Sequence, residues 1–415
     1  MILGKFSFGT GDRFAHQGRA QLRASILAKE AGISITPVWN KSHREHKTIK
    51  SSPSDVRKEA DNTVKELGWA DAYFVDADHI NMNNVDEFIP YSDFFTLDVA
   101  DYIGKQPEKR DIEDFVKRYS DYTGELNIPG ISRPFHITKE FLEELAGNFL
   151  IAIKEAEKIY KHIEKVKGAD NFITEVSMDE VDTPQTPEEL FFILAEIAAK
   201  GIPAQTIAPK FTGRFNKGVD YVGDLNQFAR EFEEDLLVIQ QAINEFGLPK
   251  SLKLSVHSGS DKFSIYEPMN RLIKKHDTGI HIKTAGTTWL EELIGLAESG
   301  GKGLEIAKNI YAEAIERFEE LTAPYANVID INFSTLPDVK EVNKWDGNKF
   351  ANTLRHEQSN TDYDREIRQL MHCAYKVAAE LGDEFTEALV KFEPTVEKNV
   401  SYNLFERHIK PIFLV

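Results

Sequence analysis

The sequence lacks several features that mark other classes of protein. Cys373 is the one cysteine among 415 residues, which excludes a disulfide framework or a thiolate metal cluster within the chain. Lys and Arg number 50 against 68 Asp and Glu, and the net charge of −18 argues against a nucleic-acid or anionic-membrane partner, because neutralising phosphates requires basic residues. No window approaches the roughly 20 apolar residues of a membrane span, and the N-terminus has no signal-peptide pattern. We therefore expect a globular protein of the cytoplasm.

Two glycine-containing stretches fall short of the nucleotide-binding motifs. Gly9-Thr10-Gly11-Asp12 has no third glycine of a dinucleotide fingerprint. Ser299-Gly300-Gly301-Lys302-Gly303 has neither a preceding strand pattern nor the Ser or Thr of a phosphate-binding loop. The sequence therefore gives no sign of a tightly bound nicotinamide or a nucleoside triphosphate.

Eight short apolar runs alternate along the chain with amphipathic segments of helical length. This alternation predicts parallel βαβ units, because a helix-length crossover must carry the chain back between neighbouring parallel strands. Eight such units predict an α/β fold, a closed (β/α)8 barrel of the TIM type. The predicted strands are Lys5–Gly9, Ile33–Trp39, Ala72–Asp78, Phe94–Val99, Asn171–Ser177, Ile202–Pro209, Leu252–His257 and Gly279–Thr284.

Two regions go beyond a bare barrel. Asp101–Thr138 is too long for an ordinary strand-to-helix loop and predicts an insertion at the rim. Residues 301–415 follow the eighth predicted strand and contain helical patterns at Gly303–Leu321 and Tyr363–Leu381. We therefore expect a catalytic barrel domain over 1–300 and a C-terminal helical extension over 301–415, packed on the barrel.

Three histidines lie on or beside predicted strands, namely His79, His257 and His281. In barrels of this type the reacting groups come from the carboxyl ends of the strands and the loops that follow. Imidazoles from separate strands suit zinc, nickel, manganese or iron, and they leave positions open for substrate oxygens. We therefore predict a divalent metal on these three residues. The alternative for each is a hydrogen-bonded rim histidine, and it is strongest for His281, which lies early in its strand.

Asp78 and Glu175 form the predicted acid/base pair. Alternation along the fifth predicted strand points Glu175 into the barrel, where a carboxylate needs a metal, a cation or a proton. Such surroundings shift a carboxyl pKa towards the range used in general acid/base catalysis. The alternatives are an ion pair of Glu175 with Lys253 or Lys283, and a loop-capping role for Asp78.

The candidate substrate-binding residues are Arg13, Lys210, Ser258 and Lys283, which lie at or after predicted strand ends. The three cations suit an anionic group, although exposure at the surface is the ordinary explanation of a lysine such as Lys210. Lys283 lies inside a predicted strand, and a lysine placed there is also able to form a Schiff base, as in lysine-dependent aldolases.

Four long stretches of the chain have distinctive sequences: Lys5–Phe14, Phe74–Ile80, Ser255–Lys262 and His281–Thr287. Through these stretches the chain resembles the tagaturonate/fructuronate epimerase family over most of its length. The resemblance implies a metal-dependent sugar-acid epimerase that joins galacturonate and glucuronate catabolism, with related enzymes acting on tagatose and fructose. The expected partner is then a small-molecule sugar acid, and the sequence does not distinguish a monomer from a homo-oligomer.

The resemblance also implies roles for individual residues. It places the divalent metal on His79, His257 and His281, with Asp78 as the base and Glu175 as the acid. The two ketose acids differ at the carbon next but one to the ketone, whose hydrogen the carbonyl does not acidify. A retro-aldol route avoids this difficulty, because a base takes the hydroxyl proton on that carbon and the adjacent carbon–carbon bond breaks. The metal holds the resulting enediolate while the aldehyde half turns its other face and the bond re-forms.

Two other functions are consistent with the same residues. A metal-dependent sugar aldolase, or a ketose isomerase or epimerase acting on neutral ketoses such as tagatose and fructose, shares the enediolate chemistry. A non-catalytic sensor of sugar acids is the second alternative. The number of ionisable groups at the predicted strand ends disfavours it.

Overall fold

The computed structural model describes residues 1–179, 181, 183–284, 286–357 and 359–414. Within these residues eight parallel strands close into a barrel, which confirms the predicted α/β fold. They are β1 (Phe6–Gly11), β2 (Thr36–Ser42), β3 (Phe74–Ile80), β4 (Phe94–Asp98), β7 (Ile173–Ser177), β8 (Thr206–Ala208), β9 (Lys253–Val256) and β10 (Ile280–Lys283). Around the barrel the strands follow chain order, and β10 pairs with β1 to close it.

Helices cover the outside of the barrel. Thr186 caps one of them, because its side chain accepts a hydrogen bond from the Glu189 amide while the Glu189 carboxylate accepts one from the Thr186 amide. No helix in the described ranges is long and apolar enough to cross a membrane. The helices up to residue 300 are α1 (Gly18–Glu30), α2 (His43–Ile49), α3 (Pro53–Leu67), α4 (Val85–Phe88), α5 (Lys109–Tyr119), α6 (Lys139–Lys167), α7 (Pro187–Ala199), α8 (Leu225–Phe246), α9 (Phe263–Lys275) and α10 (Thr287–Glu298).

The segment predicted as a rim insertion contains α5 and an antiparallel hairpin of two short strands, β5 (Gly124–Leu126) and β6 (Phe135–Ile137). It packs on the outer helices. Tyr122 meets Phe192 of α7 edge-on, with ring centroids 5.7 Å apart, and Arg133 forms ion pairs with Glu188 of α7 and Glu234 of α8. The insertion therefore braces the helical layer beside the barrel.

The C-terminal part is helical, as predicted, and packs closely on α10. A Cβ atom at Gly295 would lie 2.7 Å from the Cα of Val396, so glycine is needed for this approach of two helices. The division of the chain at residue 300 stays a prediction. The helices of this part are α11 (Gly301–Glu316), α12 (Phe318–Thr322), α13 (Val339–Val342), α14 (Gly347–Leu354), α15 (Arg365–Cys373), α16 (Tyr375–Leu381), α17 (Asp383–Lys391), α18 (Glu393–Tyr402) and a π-helical segment, Asn403–Leu414.

The barrel interior changes character along its axis. At the base, five apolar side chains form one buried cluster: Leu3, Val38, Phe74, Phe94 and Ile173. Four of these residues lie on barrel strands. Because side chains alternate along a strand, the residue two places after each of the four faces the same interior. These are polar: Asn40, Asp76, Thr96 and Glu175, all no more than 2% exposed. The strands therefore place ionisable groups inside the barrel towards its carboxyl end.

Lys253 is a buried base near the bottom of the barrel. It is 2% exposed, and its Nζ donates a 2.5 Å hydrogen bond to the Gly4 carbonyl. Burial lowers the pKa of Lys253 to about 7. Above about pH 7, and up to the ordinary lysine pKa, Lys253 of the folded chain therefore releases a proton that the unfolded chain keeps.

We expect this proton release to be visible in stability measurements. Between pH 8 and 9 the unfolded chain holds a proton on Lys253 and the folded chain does not, so stability rises with pH by about 1.4 kcal/mol per unit from this group alone. In Lys253→Met that contribution disappears. Urea unfolding of both proteins at pH 8 and 9 gives the difference, and equal pH slopes would contradict the assignment.

Candidate active site

One ammonium group joins several buried acids at the carboxyl end of the barrel. Lys283 Nζ lies 2.8 Å from a carboxylate oxygen of Asp76, 2.8 Å from one of Asp78 and 2.9 Å from one of Glu175. It also donates a 2.5 Å hydrogen bond to the Thr96 hydroxyl. The ion pair that was the alternative explanation of Glu175 is therefore present, although Glu175 shares the lysine with two other carboxylates.

The shared cation sets the charge state of these acids. Burial acts to raise the pKa of Asp78, but Lys283 and His79 outweigh it and lower this pKa to about 2. Burial likewise opposes ionisation of Glu175, yet Lys283 and His257 hold its pKa well below the usual range. For Asp76 burial prevails over Lys283, and the pKa rises to about 6. Asp78 and Glu175 are therefore ionised at neutral pH.

His257 lies between two carboxylates, with one at each ring nitrogen. Nε2 is 2.7 Å from a Glu175 oxygen, and Nδ1 is 3.1 Å from an Asp179 oxygen. Burial acts to lower the pKa of His257, but Asp179 and Glu175 raise it to about 9 in this arrangement. The contact with Glu175 fixes the orientation of the ring and directs Nδ1 towards Asp179.

His79 reaches the same place from the end of β3. Its backbone has φ of +52°, a left-handed conformation, and the pairing of β3 with β4 shifts register between Ala77 and Ile80. This bulge ends the regular alternation and turns the His79 ring towards His257, with ring centroids 5.2 Å apart. Nδ1 of His79 is 3.5 Å from an Asp98 oxygen.

His79, Asp179 and His257 form a group that suits a metal ion. Each offers one ligand atom, and the three atoms lie within 4.8 Å of one another. Two imidazoles and a carboxylate are a donor set used for zinc and other divalent transition metals. Glu175 on His257 and Asp98 on His79 have the positions of outer carboxylates that orient ligating histidines. The residues present therefore fit a divalent cation.

This group differs from the predicted one at one position. His281, predicted as the third ligand, is not part of the group. Its ring lies deeper in the barrel, where Nδ1 is 2.9 Å from the Ser7 hydroxyl and the ring packs 5.3 Å from Phe94. The reason is its place as the second residue of β10, below the rim. Asp179 takes this position. It lies in the loop two residues beyond the end of β7, and an acid so close to a predicted strand end is the signal in the sequence that could have identified it.

Two adjoining cavities open above these groups, with volumes of about 260 Å³ and about 490 Å³. Both are lined by Asp179, His257 and Ser258, so these three residues lie between them. Asp78 and His79 line the smaller cavity. The predicted catalytic and metal-binding residues that line it therefore share one chamber at the strand ends.

The structure places the four predicted substrate-binding residues differently. Lys283 and Arg13 line the smaller cavity, Ser258 lines both, and Lys210 lines the larger one only. Arg13 is held by Glu45, with 3.0 Å between Nε and Oε1. The Ser258 hydroxyl accepts a 2.7 Å hydrogen bond from Lys217 Nζ. Lys210 therefore does not line the cavity that Lys283 and Asp78 line.

Some other lining residues were not proposed from the sequence, and four of them carry charged, phenolic or imidazole side chains. Arg44 and Lys217 line both cavities, and Lys217 Nζ is the donor to Ser258. Tyr325 and His372 come from the helical extension, which follows the barrel in the chain. No pattern along the chain brings these two residues to the rim, whereas Arg44 and Lys217 lie in loops or helices directly after barrel strands.

Comparisons with known proteins agree on one family. A family model described as tagaturonate epimerase matches residues 2–411. A tagaturonate/fructuronate epimerase of Thermotoga maritima is 29% identical over 424 aligned positions, which cover 97% of this chain and 79% of the relative. Crystal structures of fructuronate-tagaturonate epimerase from Cohnella laeviribosi, native and with one glycerol, share the fold with a TM-score of 0.82 at 23% identity. They cover 99% of this chain and 82% of theirs.

Removal of the shared cation is expected to be costly. Lys283→Met leaves three buried carboxylates without it, and we expect a loss of about 3–5 kcal/mol in unfolding free energy at pH 8. Without the lysine the carboxyl pKa values rise above those of the unfolded chain. The folded variant then takes up protons as the pH falls, so part of the loss is recovered at pH 5. Urea unfolding at both pH values measures this.

Lys210→Met is the matched control, since Lys210 is half-buried on the wall of the larger cavity. Its stability should stay within about 0.5 kcal/mol of the wild type at both pH values. A Lys283→Met loss of equal size at pH 5 and pH 8 would show that packing, rather than charge, is responsible.

Proposed function

Because this chain belongs to the tagaturonate epimerase family, we propose that it interconverts tagaturonate and fructuronate by breaking and re-forming a carbon–carbon bond. The observation that supports this is the chamber in which ionised Asp78, bound to Lys283, lies beside the group His79, Asp179 and His257. An acid/base group and a metal-binding group in one cavity are the two requirements of aldol chemistry.

The position of the inverted carbon favours a retro-aldol route over direct proton exchange. The hydrogen on that carbon is not next to the ketone, so its removal would face a high barrier. The hydroxyl on the same carbon is a β-hydroxyl of the ketone, and its deprotonation releases the neighbouring carbon–carbon bond. The aldehyde half then offers its other face, and the bond re-forms with the opposite configuration.

Divalent metal held by His79, Asp179 and His257 would supply Lewis-acid polarisation of the ketone oxygen. The chain keeps these ligands ready with its own contacts. Glu175 holds His257 through Nε2, and Asp98 lies beside Nδ1 of His79. The negative charge of the surrounding carboxylates favours a cation at this place.

Asp78 is the proposed base for the substrate hydroxyl. It lines the cavity, is ionised, and its Oδ1 is fixed by Lys283 at 2.8 Å. The acid role of Glu175 stays a prediction. Its ionised carboxylate is fully buried against His257 and Lys283, which favours an orienting role. The Ser258 hydroxyl, with the Lys217 ammonium behind it, is a cavity-lining group able to return a proton.

The cavity also suits an acidic substrate. Arg13, Arg44 and Lys217 bring guanidinium and ammonium groups to its wall, and such groups bind carboxylates. This favours a sugar acid as the small-molecule partner over neutral tagatose or fructose. The cytoplasmic location and the oligomeric state stay predictions.

Isotopic labelling tests the reaction and its route together. With tagaturonate deuterated at the inverted carbon, we expect fructuronate that retains the deuterium, because only the carbon–carbon bond breaks. Mass spectrometry and proton NMR of the product measure this. Loss of deuterium to water would indicate proton exchange, a large primary isotope effect would indicate hydride transfer, and accumulating three-carbon fragments would indicate an aldolase.

Asp78→Asn tests the base in the same assay. We expect kcat to fall by about 10²–10⁴-fold, because the amide accepts no proton. Asp86→Asn, at an exposed acid that contacts His162, is the control and should leave kcat unchanged. Wild-type kcat in Asp78→Asn would reject Asp78 as the base.

The metal group predicts a matched pair of effects. His257→Gln and Asp179→Asn should each weaken binding of zinc or cobalt, by about 10-fold or more, as measured by calorimetry on chelator-treated protein. Activity of the wild type should fall on chelation and return with metal. The surface variant His162→Gln should bind metal as the wild type does, and full metal affinity in both ligand variants would refute the site.

A further inference from the structure

The loop that follows β9 carries two cavity residues in a strained backbone. His257 and Ser258 begin it, and α9 starts at Phe263. Ser258 has φ of +50° and Asp261 has φ of +62°, although neither is glycine. Side chains disfavour such left-handed conformations, so the surroundings of the loop must hold it in place.

The helical extension supplies these surroundings at Asp261. A terminal nitrogen of Arg368 lies 3.0 Å from both carboxylate oxygens, and the Asp261 amide donates a 3.0 Å hydrogen bond to His408 Nε2. Nδ1 of His356 is 3.7 Å from one of the oxygens. All three partners belong to the part of the chain after residue 300, and Asp261 is 0% exposed.

The contact from His408 has a defined direction. Its Nδ1 lies 2.9 Å from the Asn403 carbonyl, so Nδ1 carries the proton and Nε2 is left as the acceptor for the Asp261 amide. Burial lowers the pKa of His408 to about 4, which keeps the ring neutral. The ring also packs 5.6 Å from Phe263. The extension therefore fixes the backbone of the loop as well as its carboxylate.

Arg368 connects this loop to a second one at the rim. It is 0% exposed, and it donates hydrogen bonds to the carbonyls of Gly218 at 2.7 Å and Leu354 at 2.6 Å. Lys262, also buried, donates to the carbonyls of Asn216 and Val219 on either side of Gly218. Buried hydrogen bonds from Arg368 and Lys262 therefore tie the loop around residue 217 to the loop after β9.

Movement of the loop after β9 would reach the chamber directly. The Gly259 amide donates a 2.9 Å hydrogen bond to the Lys283 carbonyl, and a Cβ at Gly259 would lie 2.9 Å from the Ile282 side chain. Lys217 Nζ meets the Ser258 hydroxyl between the two loops. Short contacts therefore hold the loop on both sides between Asp261 and the groups that line the cavity.

We propose that the helical extension sets the positions of His257 and Ser258 by holding Asp261. Arg368, His356 and His408 are then positioning residues of an active site whose cavities they do not line. The barrel supplies the reacting groups, and the extension supplies their alignment. The kinetic part of this inference rests on the proposed function.

Arg368→Lys is the decisive variant. It keeps a buried positive charge but cannot reach Asp261, Gly218 and Leu354 at once. We expect kcat to fall by about 10- to 100-fold with a much smaller change in KM. A displacement of reacting groups of the order of 1 Å reduces catalysis by this amount. Arg365→Lys, at a half-exposed residue of the same helix, is the control and should match the wild type. Kinetics are measured well below the unfolding temperature of each protein.

A second readout does not depend on turnover. Carbon-13 labelling of the histidine rings gives NMR signals for the 12 histidines of the zinc-loaded protein, and His257→Gln identifies the signal of His257. In Arg368→Lys this signal should shift, and in Arg365→Lys it should not. His408→Phe, which removes a different contact to Asp261, should shift it as well.

The outcomes separate the two proposals. Unchanged kcat and an unmoved His257 signal in Arg368→Lys, with only a lower unfolding temperature, would overturn the positioning role. If the wild type does not convert tagaturonate, the proposed function fails, and the His257 signal alone decides whether the extension aligns the site.

Discussion

The contacts of the Lys283 ammonium are the constraint on which the rest of the site depends. Three carboxylates from β3 and β7 converge on one lysine of β10, so strands on opposite sides of the barrel are tied through its interior. Desolvation would otherwise push protons onto these acids or force them apart. Because the lysine supplies their counter-charge, Asp78 remains ionised at the cavity and Glu175 remains free to hold His257. The ionised state of Asp78 and the link between these strands therefore both depend on Lys283.

The interior of the barrel is polar over the part nearer its carboxyl end. A TIM-type barrel is ordinarily filled by layers of branched apolar side chains, and among the residues that the structure describes an apolar cluster lies at the base. Above it the interior carries ion pairs, which contribute little net stability after desolvation. Compensating apolar contacts lie outside, where α10 packs against α14 and α18 of the extension. The extension therefore adds packing contacts to the outer helical layer, apart from its contacts at the rim.

The fold was predictable from the sequence because it depends on local patterns. Apolar runs of strand length alternating with amphipathic segments give the barrel, and the β-bulge at His79 is the kind of irregularity that such patterns do not show. Asp78, His79 and His257 were proposed because each lies at the end of a predicted strand, and all three line the smaller cavity. His281 lies deeper in the barrel because it is the second residue of β10. Asp179 was not proposed because it lies in a loop, and Tyr325 and His372 were not because their approach depends on how the extension packs.

The depth of a residue inside the barrel is harder to predict from the sequence than the side of the strand it faces. Alternation along a strand determines which side a residue faces, but depth along the barrel axis depends on the stagger between strands. Ser7 of β1 pairs with His281 of β10, and each is the second residue of its strand. Glu175, which contacts His257, is the third of the five residues of β7. A metal or acid/base group needs ligand atoms within a few ångströms, so the position of a histidine along its strand decides whether it can reach the group. A loop residue can complete a group that the strands leave incomplete. Asp179 does so here, since it joins His79 and His257 in the candidate metal group and His281 does not.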